Sequence, residues 1–139
     1  MSGREAVIQR TLTNHIAREY PNVVFHNDYG SGAKLTAGQA KKQKEMNPRR
    51  GFPDLQICEP IGKWHGLFVE IKKEGTRIVK RNGELVSDQH IREQASMIAD
   101  LRARGYYADF GVGTEACIAI IDAYLGGRAD AKEWTDWNS

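Results

Sequence analysis

The sequence predicts an α/β protein with three layers, in which helices cover both faces of a central mixed sheet. Apolar residues recur with alternating helical and strand periods, in the order α-β-α-β-β-α-β-α. The 139 residues allow one domain with one core, and the hydrophobic content of 40% is normal for a soluble globular protein.

The first half of the chain predicts two helices with a strand between them. A helix is expected over residues 2–20, because apolar residues recur there at a spacing of four. These residues are Ile8, Leu12 and Ile16. Residues 22–27, "NVVFHN", predict a strand. Thr36 and Gln39 have the form of a capping box, which predicts a short, mostly polar helix that ends at Pro48.

The segments "PDLQICE" (53–59) and "GLFVEIKKE" (66–74) predict the two strands of a hairpin, because turn residues separate two alternating patterns. The second strand has two distinct faces. One face carries Leu67, Val69 and Ile71, and the other carries Phe68, Glu70 and Lys72. Residues 75–84 contain an Asn-Gly pair and predict an exposed loop or small hairpin.

A long helix is predicted from an N-cap at Ser87 to about Arg104, and Gly105 fits the left-handed position just past its end. The strand "YYADFGV" follows over residues 106–112. Thr114 is expected to cap the last helix.

The pattern assigns residues 1–126 to the domain and residues 127–139 to a C-terminal tail, whose two tryptophans could dock onto the domain or a partner. No apolar stretch reaches the ~20 residues that span a bilayer, and no secretory signal is visible, so a cytoplasmic location without a membrane partner is expected. Cys58 and Cys117 lack CxxC spacing and are expected to be buried thiols, rather than a disulfide or a zinc site.

The net charge of +2 is unevenly distributed. Residues 34–50 carry six basic side chains against the single acid Glu45. The basic residues are Lys34, Lys41, Lys42, Lys44, Arg49 and Arg50. A solvated helix face and a phosphate-binding patch both fit such a run.

Two carboxylates occupy positions where a strand would favour apolar residues. Glu70 has apolar neighbours on both sides, and a buried carboxylate is costly unless it is paired or binds a metal. Lys72 lies on the same strand face, about 7 Å away, so an edge-strand ion pair is one explanation. Asp54 heads the neighbouring strand, and a hairpin would bring it beside Glu70. Two carboxylates beside a lysine would suit Mg²⁺ or Mn²⁺, with the lysine orienting or deprotonating a water.

Two further polar residues interrupt helical apolar stripes. Gln94 lies between Ile91 and Ile98 on the long helix, where its side chain needs a partner. Glu5 repeats the anomaly on the first helix, although fraying of the terminus would also explain it. All four polar residues could reach one end of the sheet.

This constellation resembles the PD-(D/E)xK nuclease superfamily, with Pro53-Asp54 and Glu70-Ile71-Lys72 as the two signature elements. The segments "GFPDL" after a basic run, "FVEIKKEGTR" and "HIREQASMIADLRARGY" are similar to the VRR-NUC family, specifically its small stand-alone type from phages and prophages. The resemblance covers residues 4–125. It implies a restriction-endonuclease-like fold and a phage- or prophage-encoded protein in a bacterial host cell.

The resemblance also implies roles for individual residues. Asp54 and Glu70 match the metal-binding acids, with the carbonyl of Ile71 as a backbone ligand, and the implied cofactor is Mg²⁺ or Mn²⁺. Lys72 matches the catalytic lysine, and Gln94 matches a helix glutamine near the scissile phosphate. The implied catalytic set is Glu5, Asp54, Glu70, Lys72 and Gln94.

The expected substrate is branched or duplex DNA, and no nucleotide cofactor is expected. Basic side chains would hold the DNA backbone with little sequence information. They are Lys41, Lys42, Lys44, Arg49, Arg50, Lys73, Arg77, Lys80 and Arg81. Small stand-alone relatives resemble homodimeric Holliday-junction-resolving enzymes, since two symmetric nicks need two active sites.

Other functions are compatible with the same residues. Within nucleases, a flap or 5′-end nuclease is the main alternative, and a restriction-like enzyme is disfavoured because no separate sequence-reading domain is present. A catalytically silent DNA-binding module is the alternative from another class. A metal centre built on the four histidines is disfavoured by their spacing.

Overall fold

The helices and strands follow the order that the sequence predicts. In the computed structural model, the described residues are 3–28 and 35–129. The elements are α1 (Gly3–Glu19), β1 (Phe25–Asn27), α2 (Ala37–Met46), β2 (Leu55–Ile57), β3 (Leu67–Lys72), α3 (Gln89–Ala103), β4 (Tyr107–Val112) and α4 (Thr114–Leu125). The prediction that two tryptophans of the tail dock onto the domain concerns residues outside these ranges. No helix in the described part of the chain is long and apolar enough to span a membrane.

The sheet is mixed and its strands lie in the order β1-β2-β3-β4. β1 and β2 pair antiparallel, as do β2 and β3, which confirms the predicted hairpin. β3 and β4 pair in parallel, because the chain crosses over through α3 between them. β3 is therefore a central strand with neighbours on both sides.

Two apolar clusters lie on the two faces of the sheet, as the alternation in β3 predicts. Leu67, Val69 and Ile71 pack with α1 and α4 on one face. Phe68 packs with α3 on the other. The three layers of the prediction are confirmed, whereas α2 buries none of its side chains and lies outside both clusters.

Two predicted helix N-caps are each wrong by one residue. Asp88 rather than Ser87 is the N-cap of α3, and its carboxylate accepts a hydrogen bond from the Ile91 N–H at 3.0 Å. Gly113 rather than Thr114 is the N-cap of α4, without a side-chain hydrogen bond. A charged acceptor competes well with a hydroxyl for the free N–H groups of a helix start, so the two candidates at α3 were locally ambiguous.

The predicted strands of the hairpin region are longer than the observed ones. Among the described strands, β1 lies at the edge of the sheet and pairs with β2 alone. This pairing covers three residues of each strand. Hydrogen bonds extend the contact by one residue at each end, from the Cys58 N–H to the Val24 carbonyl and from the Asp28 N–H to the Asp54 carbonyl. The second bond is 2.7 Å long and holds the main chain at the head of β2.

Other local predictions are confirmed. Thr36 and Gln39 form the capping box of α2, and Gly105 follows α3 with a φ of +92°. The loop after β3 closes through a bridge between Val79 and Leu85. Of the two cysteines, Cys117 is buried as expected, while Cys58 is exposed, which the sequence pattern did not predict.

Candidate active site

The hairpin brings the two predicted acids together. Leu55 pairs with Val69, so Asp54 at the head of β2 lies beside the end of β3. The Asp54 Oδ2 atom accepts a hydrogen bond from the Ile71 N–H at 2.9 Å. Asp54 is only 9% exposed and Glu70 only 3%. Both carboxylates therefore lie in a largely dry environment at one end of the sheet.

Glu70 is held in an environment that disfavours its charge. Burial raises the pKa of Glu70 well above its ordinary value, and a hydrogen bond with Asp54 and the Asp54 charge raise it further. The Lys72 charge lowers the pKa but does not compensate for these effects. Without a cation, the Glu70 carboxyl is therefore best accommodated when it keeps its proton and hydrogen-bonds Asp54.

This donor set fits a hard divalent cation. Glu70 retains its proton because it is buried and lies beside the Asp54 carboxylate, and a divalent cation can replace that proton. Mg²⁺ and Mn²⁺ prefer oxygen ligands. In a strand, the N–H and C=O of one residue point to the same neighbour, so the Ile71 carbonyl lies on the same side of β3 as the Asp54 side chain. Asp54, Glu70 and this carbonyl are the protein groups that would hold the ion.

The described residues do not form a metal site made of side chains alone. No group of three His, Cys, Asp or Glu side chains is arranged there to hold a metal ion. His15 instead hydrogen-bonds Asp122 at 2.8 Å, and the His65 ring packs against Tyr106. A histidine-based centre therefore has no support in this part of the chain, and a cation between two carboxylates would keep water or substrate oxygens as its remaining ligands.

Lys72 lies at the end of β3, on the same face as Glu70, and is partly buried. Its carbonyl accepts a hydrogen bond from the Gly113 N–H at 2.8 Å, which fixes the strand end against the turn before α4. The ammonium group thus belongs to a fixed segment next to the carboxylates, and a partly desolvated lysine interacts strongly with a developing negative charge.

Gln94 reaches the same place from α3. Its Oε1 atom is buried and has no hydrogen-bond partner within the described residues. A buried amide oxygen without a partner is costly, so such atoms in folded proteins usually have a ligand or water to bind. The sequence predicted that Gln94 needs a partner, and none of the described protein groups provides one for its Oε1 atom.

A large cleft of about 1150 Å³ contains all five residues of the implied catalytic set. Glu5 is included, and its charge contributes to the raised pKa of Glu70, so the first helix does present this acid toward the site. The structure therefore brings together side chains from α1, α3 and the hairpin.

The basic residues fall into two groups. The cleft is lined by five lysines and arginines, namely Lys44, Arg49, Arg50, Lys72 and Lys73. Arg49 also forms an ion pair with Asp100 of α3. The remaining basic residues of the prediction are exposed but do not line the cleft. They are Lys41, Lys42, Arg77, Lys80 and Arg81.

Acids balance these cations within the cleft. Six carboxylates line it, namely Glu5, Asp28, Asp54, Glu70, Asp88 and Glu93, against the five lysines and arginines. The side chains that line the cleft therefore give it no large positive charge. A polyanion would be held mainly by the exposed basic residues outside the cleft. A divalent cation between the carboxylates would shift this balance toward phosphate binding.

Sequence reasoning missed the contribution of Gly51. Its φ is +88°, and a Cβ there would lie 2.6 Å from the Glu93 carbonyl oxygen and 2.9 Å from the Gln94 backbone nitrogen. The chain just before Asp54 thus packs directly on the α3 backbone that carries Gln94. A glycine preceding Phe-Pro-Asp was the available signal, since only glycine permits both this φ and this close approach.

Comparison with solved structures finds a similar fold, whereas two comparisons by sequence find no match. No protein-family model matches the sequence, and no curated protein matches it. A solved structure described as "VRR_NUC domain protein" matches with a TM-score of 0.65 and 25% sequence identity, over 91% of this chain and 91% of that one. This likeness supports membership of the chain in the VRR-NUC family.

Proposed function

We propose that this protein is a metal-dependent endonuclease that hydrolyses phosphodiester bonds in branched DNA and resolves four-way (Holliday) junctions. The single observation that carries the nuclease proposal is the contacting pair of buried carboxylates, Asp54 and Glu70, with Lys72 on the same strand face. The likeness to a VRR_NUC domain protein supports a nuclease-type activity. The cost of burying two acids side by side has a clear purpose if they bind a cation.

The mechanism assigns each side chain a task. Asp54 and Glu70 would hold Mg²⁺ or Mn²⁺, whose charge polarises the phosphodiester and acidifies a water. As an ammonium, Lys72 would stabilise the charge that develops on the phosphate. As a neutral amine, it would instead accept the proton of the attacking water. The unpartnered Gln94 Oε1 would accept a hydrogen bond from that water and orient it. The Glu5 charge, from α1, would add to the negative potential around Glu70 and so favour a bound cation.

The basic residues would hold the DNA backbone. Those that line the cleft would contact phosphates near the scissile bond, and the exposed residues outside it would contact phosphates further away. Binding through phosphates carries little sequence information and weakens as salt increases. A surface of this kind suits recognition of DNA structure rather than sequence.

A homodimer is part of the proposal, because the symmetric cutting of a four-way junction needs two active sites. The described residues contain one such site. Sedimentation of the protein alone and with junction DNA tests this part. A monomer at micromolar concentration in both samples would contradict resolution by a dimer and favour a flap or 5′-end nuclease.

The nuclease proposal is tested by cleavage of end-labelled four-way junction, flap and linear duplex DNA with Mg²⁺, Mn²⁺ or a chelator. Lys72→Ala and Asp54→Ala are expected to abolish cutting. Lys63→Ala, which removes an exposed lysine that lies over Trp64 away from the cleft, is the matched control and should cut normally. Paired symmetric nicks in the junction would support resolution.

Other outcomes separate the alternatives. Cutting confined to flaps or ends would retain the nuclease and exclude the resolvase. Metal-independent cutting, or equal cutting by the wild type and Asp54→Ala, would refute the proposed site. Mg²⁺ titration by calorimetry adds a readout that does not depend on cutting, because Asp54→Ala should lose binding while Lys63→Ala retains it. DNA binding without any cutting would favour the silent module.

A further inference from the structure

Phe52 places an exposed aromatic ring at the edge of the cleft. Its side chain is 48% exposed, and no other Phe, Tyr or Trp within residues 3–28 and 35–129 is classed as exposed. The residue lies two positions before Asp54, and both line the same cleft. Met46 is also exposed and lines this cleft, so the two side chains place exposed apolar surface in a polar site, where a ligand could cover it.

The ring is held firmly although it is open to solvent. It packs on Phe68 with a ring-centroid distance of 5.2 Å and an interplanar angle of 84°. Phe68 is buried and shares its strand face with Glu70, two residues further along β3. Phe52 is therefore anchored to the strand that carries a catalytic acid of the proposal.

The backbone on both sides of Phe52 is also constrained. Gly51 packs against the backbone of α3, and Pro53 is buried, with a φ limited by its ring. A ring held in this way loses little conformational freedom when a ligand stacks on it, and this favours binding.

The surroundings of the ring define the chemistry of its ligand. Arg49 and Arg50 precede it and line the same cleft, and Met46, 73% exposed, adds a second apolar side chain. Cations beside a planar apolar surface match a nucleotide, whose phosphate is anionic and whose base has a flat π face. In a continuous duplex, base faces are covered by their neighbours, so only an unpaired, unstacked base is free to stack on a side chain.

We propose that Phe52 is a stacking platform for an unpaired base next to the scissile phosphate, and that it makes the enzyme select DNA with unpaired nucleotides over continuous duplex. This inference rests on the proposed function and specifies the substrate of that site. Stacking on an aromatic side chain changes affinity by roughly 5- to 150-fold per base.

Binding is measured in the Lys72→Ala background with Mg²⁺, so that the metal ligands remain and the proposed catalytic lysine is absent. The probes are a duplex with a one-nucleotide bulge of 2-aminopurine, a four-way junction and a continuous duplex of matched sequence. Phe52→Leu keeps an apolar contact with Phe68 but removes the π face, and Phe52→Trp keeps a π face. Val24→Ala is the control, because Val24 is 65% exposed but does not line the cleft.

The expected result is a ratio of affinities. Phe52→Leu should lower the affinity for bulged DNA relative to continuous duplex by roughly 5- to 150-fold and should abolish the quenching of 2-aminopurine on binding. Phe52→Trp and Val24→Ala should preserve both. Thermal unfolding checks that Phe52→Leu folds, and a second variant, Phe52→Met, provides the same test if it does not.

Three results would overturn the inference. An unchanged ratio in Phe52→Leu would exclude base stacking, and Lys72-dependent cutting by the parent enzyme would then leave the nuclease proposal intact. Equal affinity of the parent protein for bulged and continuous duplex would also exclude it. A Phe52→Leu protein that sediments as a monomer while the parent is a dimer would assign the ring to self-association. Failure of the parent to cut any DNA would instead refute the proposed function.

Discussion

Replacing Gly51 with alanine should damage the site through one methyl group. A Cβ at this position would approach the Glu93 carbonyl oxygen to 2.6 Å and its carbonyl carbon to 2.7 Å. Ordinary contacts of a Cβ begin near 3.4 Å. The chain before Asp54 or the backbone of α3 must therefore move by several tenths of an ångström to relieve this contact.

The cost of this substitution has two parts. A non-glycine residue at a φ of +88° is strained by about 1 to 2 kcal/mol. Steric overpacking against a backbone adds about 1 to 3 kcal/mol. The displacement also separates Asp54 from Gln94, and a misplacement of about 1 Å in an active site can reduce the rate about 100-fold.

Gly83 offers a matched control. Its φ is +85°, and a Cβ there would meet no atom within 4 Å. Gly83→Ala therefore has the same backbone strain without the clash. The difference between the two variants isolates the packing of the Asp54 segment on α3.

The assay combines urea unfolding with cleavage rates at saturating Mg²⁺ and DNA. We expect Gly51→Ala to be less stable than Gly83→Ala by about 1 to 3 kcal/mol and to cut about 100-fold more slowly. Gly83→Ala should retain the wild-type rate. Equal losses of stability and rate in the two variants would refute the reasoning, since strain at a positive φ would then account for everything.

The remaining predictions concern charge. The pKa of Glu70 is raised by burial, by the hydrogen bond with Asp54 and by the Asp54 charge, so the folded protein holds this proton more strongly than the unfolded chain does. The stability of the fold therefore falls as the pH rises from the ordinary pKa of a glutamate through the raised pKa of Glu70. Glu70→Gln should therefore stabilise the metal-free protein at any pH above the ordinary pKa of a glutamate, and it should abolish cleavage. Urea unfolding from pH 4 to 8 in the presence of a chelator measures the stability. A variant less stable than the wild type over this range would contradict the prediction. Asp122→Ala should lose about 1 kcal/mol, because it removes hydrogen bonds of 2.8 Å to His15 and 2.7 Å to Tyr20. Burial raises the pKa of Asp122, but these hydrogen bonds outweigh burial, so the pKa is lowered. The difference in unfolding free energy between Asp122→Ala and the wild type should therefore disappear as the pH falls through the lowered pKa. A difference that grew in acid would show that the ionised Asp122 carboxylate does not stabilise the fold. Arg50→Ala should reduce the slope of log affinity against log salt by about 1, as measured by DNA titrations at several salt concentrations, and an unchanged slope would exclude a phosphate contact.

Local patterns predicted much of the site, because the hairpin is a local structure. Alternation in β3 assigned Glu70 and Lys72 to one face, and the short connection made an antiparallel pairing the natural arrangement. Antiparallel pairing then placed Asp54 beside Glu70, as the structure confirms. None of these steps required knowledge of distant contacts.

The ends of elements were less predictable, because neighbouring residues offered alternative hydrogen bonds of similar strength. Ser87 and Asp88 can both cap α3, and the difference between them depends on how the preceding loop approaches the helix. The exposure of Cys58 was not predicted either. Cys58 follows the last residue of β2, Ile57, and the sequence alone did not indicate where this strand ends.

The sequence by itself determined the order of elements, the faces of the central strand and the meeting of Asp54 with Glu70, because strand alternation and hairpin pairing depend on residues close together in the chain. Only the tertiary structure decided that α1 and α3 deliver Glu5 and Gln94 to the same cleft, and that Gly51 contacts the α3 backbone. It also decided that acids balance the basic residues within that cleft. These features depend on packing between segments more than 30 residues apart, and the residue pattern within each segment does not determine how the segments approach one another.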